Sequence, residues 1–301
     1  MHTVIRSNFC RVRFLMQNKI KYGSALLLIL CTTSCALKKV QDVSHSKYLK
    51  EGYHLVWADE FNENGAPNPK NWTYEKGFVR NNEVQWYQSE NAYCQNGLLI
   101  IKAKEEQKPN PDFTLDSKDW RKNRKNIDYT SACLITKGLQ SWQYGRFEMR
   151  GKIDISAGLW PAFWTLGVEG AWPANGEIDI MEYYQQKLLA NIASSGKNGK
   201  PKWFSQTKTI AELGGKAWAE KFHVWRMDWD SNSISLYVDD LLLNKTLLAD
   251  LDSDHQKGTH PFKQKHYILL NLAIGGMNGG DPKNTKFPKQ FEVDYVRVYQ
   301  K

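Results

Sequence analysis

Trp172–Pro173–Ala174–Asn175–Gly176–Glu177–Ile178–Asp179–Ile180–Met181–Glu182–Tyr183 is the stretch from which the fold is read. Side chains alternate along a strand, so Glu177 and Asp179 share one face while Ile178 and Ile180 point to the other, toward a core. Glu182 is out of phase. It joins the acidic face only if one extra residue near Met181 is absorbed in a β-bulge, a device often found beside active sites. Gly176 reads as a place where something approaches the backbone closely.

Outward from this stretch the chain offers further short runs of β-branched and aromatic residues: Gly97–Lys104, Ala132–Thr136, Gly145–Ile155, Glu177–Tyr184, His223–Trp229, Ser233–Val238, His266–Ala273 and Phe291–Tyr299. Turn residues such as Gln95–Asn96–Gly97 and Asn278–Gly279–Gly280 separate them, and no helical pattern of 10–15 residues alternates with them. The expectation is an all-β fold, an antiparallel two-sheet sandwich. Glu105–Asp128, charged and carrying Pro109 and Pro111, reads as a long surface loop.

The formal charge is +9, yet the first 35 residues hold Arg6, Arg11, Arg13, Lys19 and Lys21 and no acid, so the remainder falls by five to +4. No zinc-finger spacing, phosphate loop or basic helix accompanies that excess, and no nucleic-acid partner is expected. Lys19–Ile20–Lys21 followed by Ala25–Leu26–Leu27–Leu28–Ile29–Leu30 has the layout of an export signal, with an apolar run too short for a permanent span. Thr32–Thr33–Ser34–Cys35 then places a cysteine after small residues, as in bacterial lipoproteins. Residues 1–35 are therefore read as a signal peptide with Cys35 lipidated, 36–52 as a polar tether, and 53–301 as one catalytic domain. The chain is expected to be exported: an outer-membrane or cell-surface lipoprotein held only by its lipid anchor, otherwise periplasmic or secreted, and a monomer. Cys94 and Cys133 stay in the domain, and the sequence leaves open whether they pair.

With the bulge, the two glutamates lie four pleat positions apart, roughly 13 Å between Cα atoms at about 3.3 Å per residue. Side chains leaning together bring the carboxyls toward the ~5–5.5 Å that double displacement at an anomeric carbon uses. Glu177 would attack, and Glu182 would protonate the leaving oxygen. Three carboxylates on one face cannot all ionise cheaply, so Glu182 is expected to hold its proton while Asp179 orients Glu177. The chain has 12 Trp, three of them (Trp160, Trp164, Trp172) close to the trio. Flat apolar rings of this kind suit sugar faces.

Gly158–Leu159–Trp160–Pro161–Ala162–Phe163–Trp164 together with the Trp172–Tyr183 run resembles glycoside hydrolase family 16, in its bulged laminarinase-type branch. Trp57–Ala58–Asp59–Glu60–Phe61–Asn62, Asn82–Glu83–Val84–Gln85–Trp86–Tyr87, Tyr144–Gly145–Arg146–Phe147–Glu148 and Val293–Asp294–Tyr295–Val296–Arg297–Val298–Tyr299 follow in family order. The resemblance implies a concanavalin-like β-jelly-roll sandwich of two curved antiparallel sheets with an open cleft. It also implies Glu177 as nucleophile, Asp179 as assisting aspartate and Glu182 as acid/base. Trp160, Trp164 and Trp172 match cleft tryptophans, and Asn82 a residue of the opposite wall. Glu60, the carbonyl of Gly97 and Asp294 match ligands of a structural Ca²⁺, with no cofactor needed for the chemistry.

The resemblance implies a retaining endo-β-glycosidase acting on a polysaccharide, foremost β-1,3(4)-glucan. Two regions depart from the laminarin-cleaving pattern. Leu189–Ala190–Asn191–Ile192 lacks the expected histidine or aromatic ring, and Gly275–Gly276–Met277–Asn278 lacks a tryptophan. Endo-β-galactosidase action on galactans or host keratan and mucin-type glycans is accordingly the rival. A non-catalytic glycan-binding lectin is the alternative of another class, disfavoured because all three acids are kept. His223, Arg146 and Arg150 read as structural, and Lys118–Asp119–Trp120–Arg121 as a border of the cleft.

Overall fold

The computed structural model describes residues 47–196, 199–252 and 260–301. Cys35 and most of the proposed tether lie outside these residues. Residues 47–50 make one helical turn rather than unpatterned chain, closed by a hydrogen bond from the Glu51 N–H to the Lys47 carbonyl at 3.2 Å. Among the described residues no helix is long and apolar enough to cross a membrane.

The body is built from β1 (His54–Asp59), β2 (Thr73–Tyr74), β3 (Gln85–Tyr87), β4 (Ala92–Gln95), β5 (Leu98–Pro109), β6 (Asn126–Ser131), β7 (Cys133–Ile135), β8 (Gly145–Lys152), β9 (Leu159–Gly167), β10 (Glu177–Tyr184), β11 (Lys187–Ser195), β12 (Pro201–Thr209), β13 (His223–Trp229), β14 (Ser233–Val238), β15 (Leu241–Leu247), β16 (His266–Ile274) and β17 (Lys289–Gln300). One sheet runs β15-β14-β13-β8-β17-β5-β6-β3, with β1 beside β17 and β4 beside β5. The other runs β12-β11-β10-β9-β16-β7-β2. Along both sheet paths the neighbours are antiparallel except β3 with β6, and β4 is antiparallel to β5.

The two sheets face each other across one core. Phe147, Met149, Trp225, Met227, Val296 and Val298 from the first meet Phe163, Ile178, Ile180, Ile192, Ile268 and Leu270 from the second. Each such side chain, fully buried, contributes about 1.5–3 kcal/mol of transfer free energy, which is why alternation is kept so strictly on both inner faces. In β9 the odd members Leu159 and Phe163 enter this core, and Trp160, Ala162, Trp164 and Leu166 line the outer, concave face.

The predicted long loop is shorter than its charge suggests. β5 continues through Lys104–Pro109 and pairs with β6, and only 110–125 is irregular. Charged residues are tolerated there because the strands leave the core: Glu106 takes ion pairs from Lys104 and Lys108 and a 2.7 Å hydrogen bond from Thr130. Cys94 and Cys133 are both buried and unpaired.

The bulge occurs where the phase of the sequence demands it. Against β9, Asp179 faces Trp164 and Met181 faces Phe163; against β11, Asp179 faces Asn191 and Glu182 faces Leu189. Ile180 and Met181 are thus successive residues that both enter the core, at 0% exposure each. Deleting Met181 would restore regular alternation and leave Glu182 on the concave face, so part of the hydrolytic rate should survive. Inserting one alanine between Met181 and Glu182 should turn the acid into the core and lower the rate about a thousandfold or more, as measured by reducing-sugar release.

Candidate active site

The concave face carries a cleft of about 580 Å³ whose floor is β9, β10, β11, β12 and β16. Glu177, Asp179 and Glu182 all line it, with Trp160, Trp164 and Trp172 around them. The trio is bound into one network. Asn191 Nδ2 donates to Asp179 Oδ2 and to Glu182 Oε2 at 3.0 Å each, so those two oxygens lie within twice 3.0 Å, or 6.0 Å, of one another. Trp160 Nε1 donates to Glu182 Oε1 at 2.7 Å, and Trp172 Nε1 donates to Glu177 Oε2. Trp164 Nε1 donates to Asn271 Oδ1 at 2.7 Å. All three indoles therefore hold polar groups of the cleft while presenting their rings to it.

The electrostatics separate the three acids. Burial raises the pKa of Glu177, opposed by the Trp172 N–H, a hydrogen bond from Asp179 and the positive charge of Arg80. Asp179 is held well above the usual carboxylate range by burial and by the charges of Glu177 and Glu182 on either side. It keeps its proton and donates it to Glu177. Burial pushes Glu182 up to about 8, the Trp160 and Asn191 donors opposing and the charges of Glu177 and Glu83 adding to the rise. The acid at the far end of the trio is thus protonated at neutral pH, while at Glu177 the Arg80 charge and two donors work against the rise that burial causes.

The opposite wall is segment 78–83. Arg80, Asn81 and Glu83 line the cleft, whereas Asn82 does not. Asn82 is a correction to the sequence reading. Its left-handed backbone (φ 51) turns its carbonyl to accept from Arg124 Nη2 at 3.0 Å, and Asn81 takes the wall position. Arg80 is paired with Glu75 and sits over the Trp164 ring at 5.1 Å. Glu83, 2% exposed, accepts from Gln85 Nε2 at 2.6 Å and from the Tyr87 hydroxyl at 3.2 Å. Sequence reasoning missed Arg80, Asn81 and Glu83 as cleft residues, although they adjoin the Asn82–Tyr87 motif. Asn191 was visible only as a departure. The alternation Leu189, Asn191, Ala193 would have placed it on the cleft face once β11 was recognised.

Gly176 has its positive φ of 79 for a reason other than ligand approach: an added Cβ would stand 2.7 Å from the Pro261 side chain, so the close neighbour is the chain's own 260–262 turn. His223 is buried, with Nδ1 to Asp239 and Nε2 to the Trp218 carbonyl, both at 2.8 Å. Arg146 is paired with Asp228, and Arg150 with Asp294 at 2.6 Å. Lys118–Asp119–Trp120–Arg121 is absent from the cleft lining; Trp120 packs on Phe78, and Arg121 donates to the Val79 carbonyl, bracing the wall from behind. Both oxygens of Glu60 accept from Arg297, at 2.7 and 2.8 Å. With Asp294 also engaged by Arg150, a calcium ion at Glu60, Gly97 and Asp294 would face two guanidinium charges, and these residues as arranged do not fit it. Among the described residues no group of three His, Cys, Asp or Glu is placed to hold a metal.

The family of this chain is shown by its likeness to known proteins. The sequence profile of "Glycosyl hydrolases family 16" matches residues 79–297. The chain belongs to glycoside hydrolase family 16. A β-glucanase of Rhodothermus marinus is 34% identical over 268 residues, spanning 82% of this chain and 85% of that protein. A solved structure from work on endo-acting O-glycanases, which prominent members of the human gut microbiota express to initiate mucin breakdown, superposes with a TM-score of 0.75 at 33% identity, covering 83% of this chain and 91% of that one. The endo-β-1,3-glucanase of Pyrococcus furiosus gives a TM-score of 0.70 at 32% identity, with coverage of 82% and 94%. As in those proteins, the chain is a glycoside hydrolase, and its β-jelly roll is the family fold.

The raised acid has a consequence for stability. Folded Glu182 keeps its proton to about pH 8 while its unfolded value is 4.5, so its contribution is complete below pH 4.5 and is lost as pH rises toward 8. Glu182→Gln has no proton to lose at this position. Its Tm relative to wild type should therefore rise between pH 4.5 and pH 8, and parallel melting curves across that window would contradict the assignment.

Proposed function

We propose that this family 16 enzyme is a retaining endo-β-glycosidase that cleaves internal β-linkages of a polysaccharide, β-1,3(4)-glucan foremost. The observation that carries this reading is the network joining Glu177, Asp179 and Glu182 on the floor of an open cleft. Glu177 attacks the anomeric carbon as the bond to the leaving oxygen breaks, and that oxygen takes the proton of Glu182. Water then attacks the same carbon, returns a proton to Glu182 and frees Glu177. Asp179 donates to Glu177 in the free enzyme and fixes its direction. Two inversions leave the β-anomer.

A second substrate reading has its own support. Asn191, not a ring, occupies the place beside the acid/base, and Met277, 72% exposed, stands where laminarin-cleaving relatives have a tryptophan. The O-glycanase likeness supports mucin-type glycans as substrate, and on this second reading the enzyme is an endo-β-galactosidase acting on these or on keratan. We also propose, from the N-terminal pattern alone, that the protein is exported and acylated at Cys35.

Sizing early products from laminarin, lichenan, agarose, carrageenan, porphyran, keratan and mucin glycans separates the readings. Short oligosaccharides from laminarin or lichenan support the glucanase; release from keratan or mucin alone supports the galactosidase. NMR of the first products should show the β-anomer. Glu177→Gln should lower kcat by about a thousandfold or more with binding kept, and an unchanged rate would remove the nucleophile.

A further inference from the structure

Trp203 is a large apolar side chain that the fold itself does not use. It lies on β12, the edge strand of the concave sheet, where Phe204 packs against the core and Trp203 and Ser205 face the cleft. It is 45% exposed, and among the described residues its indole makes no hydrogen bond and no ring contact. Trp160, Trp164 and Trp172 differ, since each holds a polar group of the cleft through its N–H. An aromatic ring left open in a groove, with no intramolecular partner, is a surface for a ligand.

Register says where that surface stands. Across the sheet, Leu166 faces Glu177, Glu177 faces Ala193, and Ala193 faces Trp203. Trp203 therefore belongs to the same cross-strand row as the nucleophile, two strands away, or about 9.6 Å at ~4.8 Å per strand. The residue between them, Ala193, adds no bulky side chain of its own but is fully buried, and the open lining reaches Trp203 and Ser205 by way of Leu189 and Asn191. The parallel row Trp164, Asp179, Asn191, Ser205 ends in a small hydroxyl residue. A chain molecule crossing the strands through the cleavage point runs along these rows and onto the indole.

Building on the reading that this cleft cleaves a glycan chain internally, we propose that Trp203 is the platform of a remote subsite, stacking on the C–H face of a pyranose of the same substrate chain. The site discriminates by length: a substrate too short to reach β12 gains nothing from the indole, and a longer one gains its full contact.

The test compares Trp203→Ala and Trp203→Phe with wild type on laminari-oligosaccharides of increasing length and, in parallel, on poly-N-acetyllactosamine oligosaccharides. Trp203→Ala should lose about tenfold in kcat/KM on the longest members and nothing on the shortest one cleaved, with Tm unchanged and Trp203→Phe retaining most of the rate. In the Glu177→Gln background, calorimetric binding of the longest oligosaccharide should weaken by the same factor on adding Trp203→Ala. Equal losses at every length, or no loss at any, would overturn the subsite. A Glu177→Gln enzyme that kept full activity would sink the proposed mechanism instead, leaving the length comparison to judge Trp203.

Discussion

Two successive core residues, Ile180 and Met181, are the constraint on which the active site rests. Each is fully buried, and the apolar surface they remove from water outweighs the irregular pairing that one surplus residue imposes on β10. The kink is thus stabilised from the core side, away from the chemistry. On the concave side its result is that Glu182 faces the same way as Glu177 and Asp179, close enough for one amide of Asn191 to hold two of the three.

Bringing three acids together under indoles works against stability, and the structure shows how the expense is distributed. Burial raises all three pKa values, and the donors are allotted unequally. Glu177 has the Trp172 N–H, a hydrogen bond from Asp179 and the field of Arg80. Glu182 has two neutral donors but also the charge of Glu83 opposite. A protonated acid/base arises from that asymmetry, while the indole N–H, the Asp179 donor and Arg80 work against the rise at Glu177 on the same strand.

The wall facing the trio is held by a different kind of contact. Segment 78–87 is fixed by small apolar clusters outside the main core, Tyr87 with Trp164 and Leu269, and Phe78 with Trp86 and Ile127. Arg124 reinforces it by donating to the carbonyls of Asn82 and Glu83, at 3.0 and 2.6 Å. A hydrogen-bond chain runs from Trp164 through Asn271 and Tyr87 to Glu83 and joins wall to floor. The shape of the cleft across the catalytic strand is therefore set by residues far apart in sequence.

Much of the fold was legible because its signals are local. The strands Glu177–Tyr184, His223–Trp229 and Ser233–Val238 appear with the bounds their alternation predicts, and the bulge follows from the phase of Glu182 alone. The sequence by itself thus determined the strand class, the acidic face and the need for a kink, since period and parity are properties of consecutive residues. Only the tertiary structure decided which protons stay on which acids, that Asn81 and Glu83 rather than Asn82 line the wall, that Gly176 accommodates the 260–262 turn, and that Trp203 shares a row with Glu177. Those facts depend on sheet register and burial between segments tens of residues apart, which no local pattern encodes.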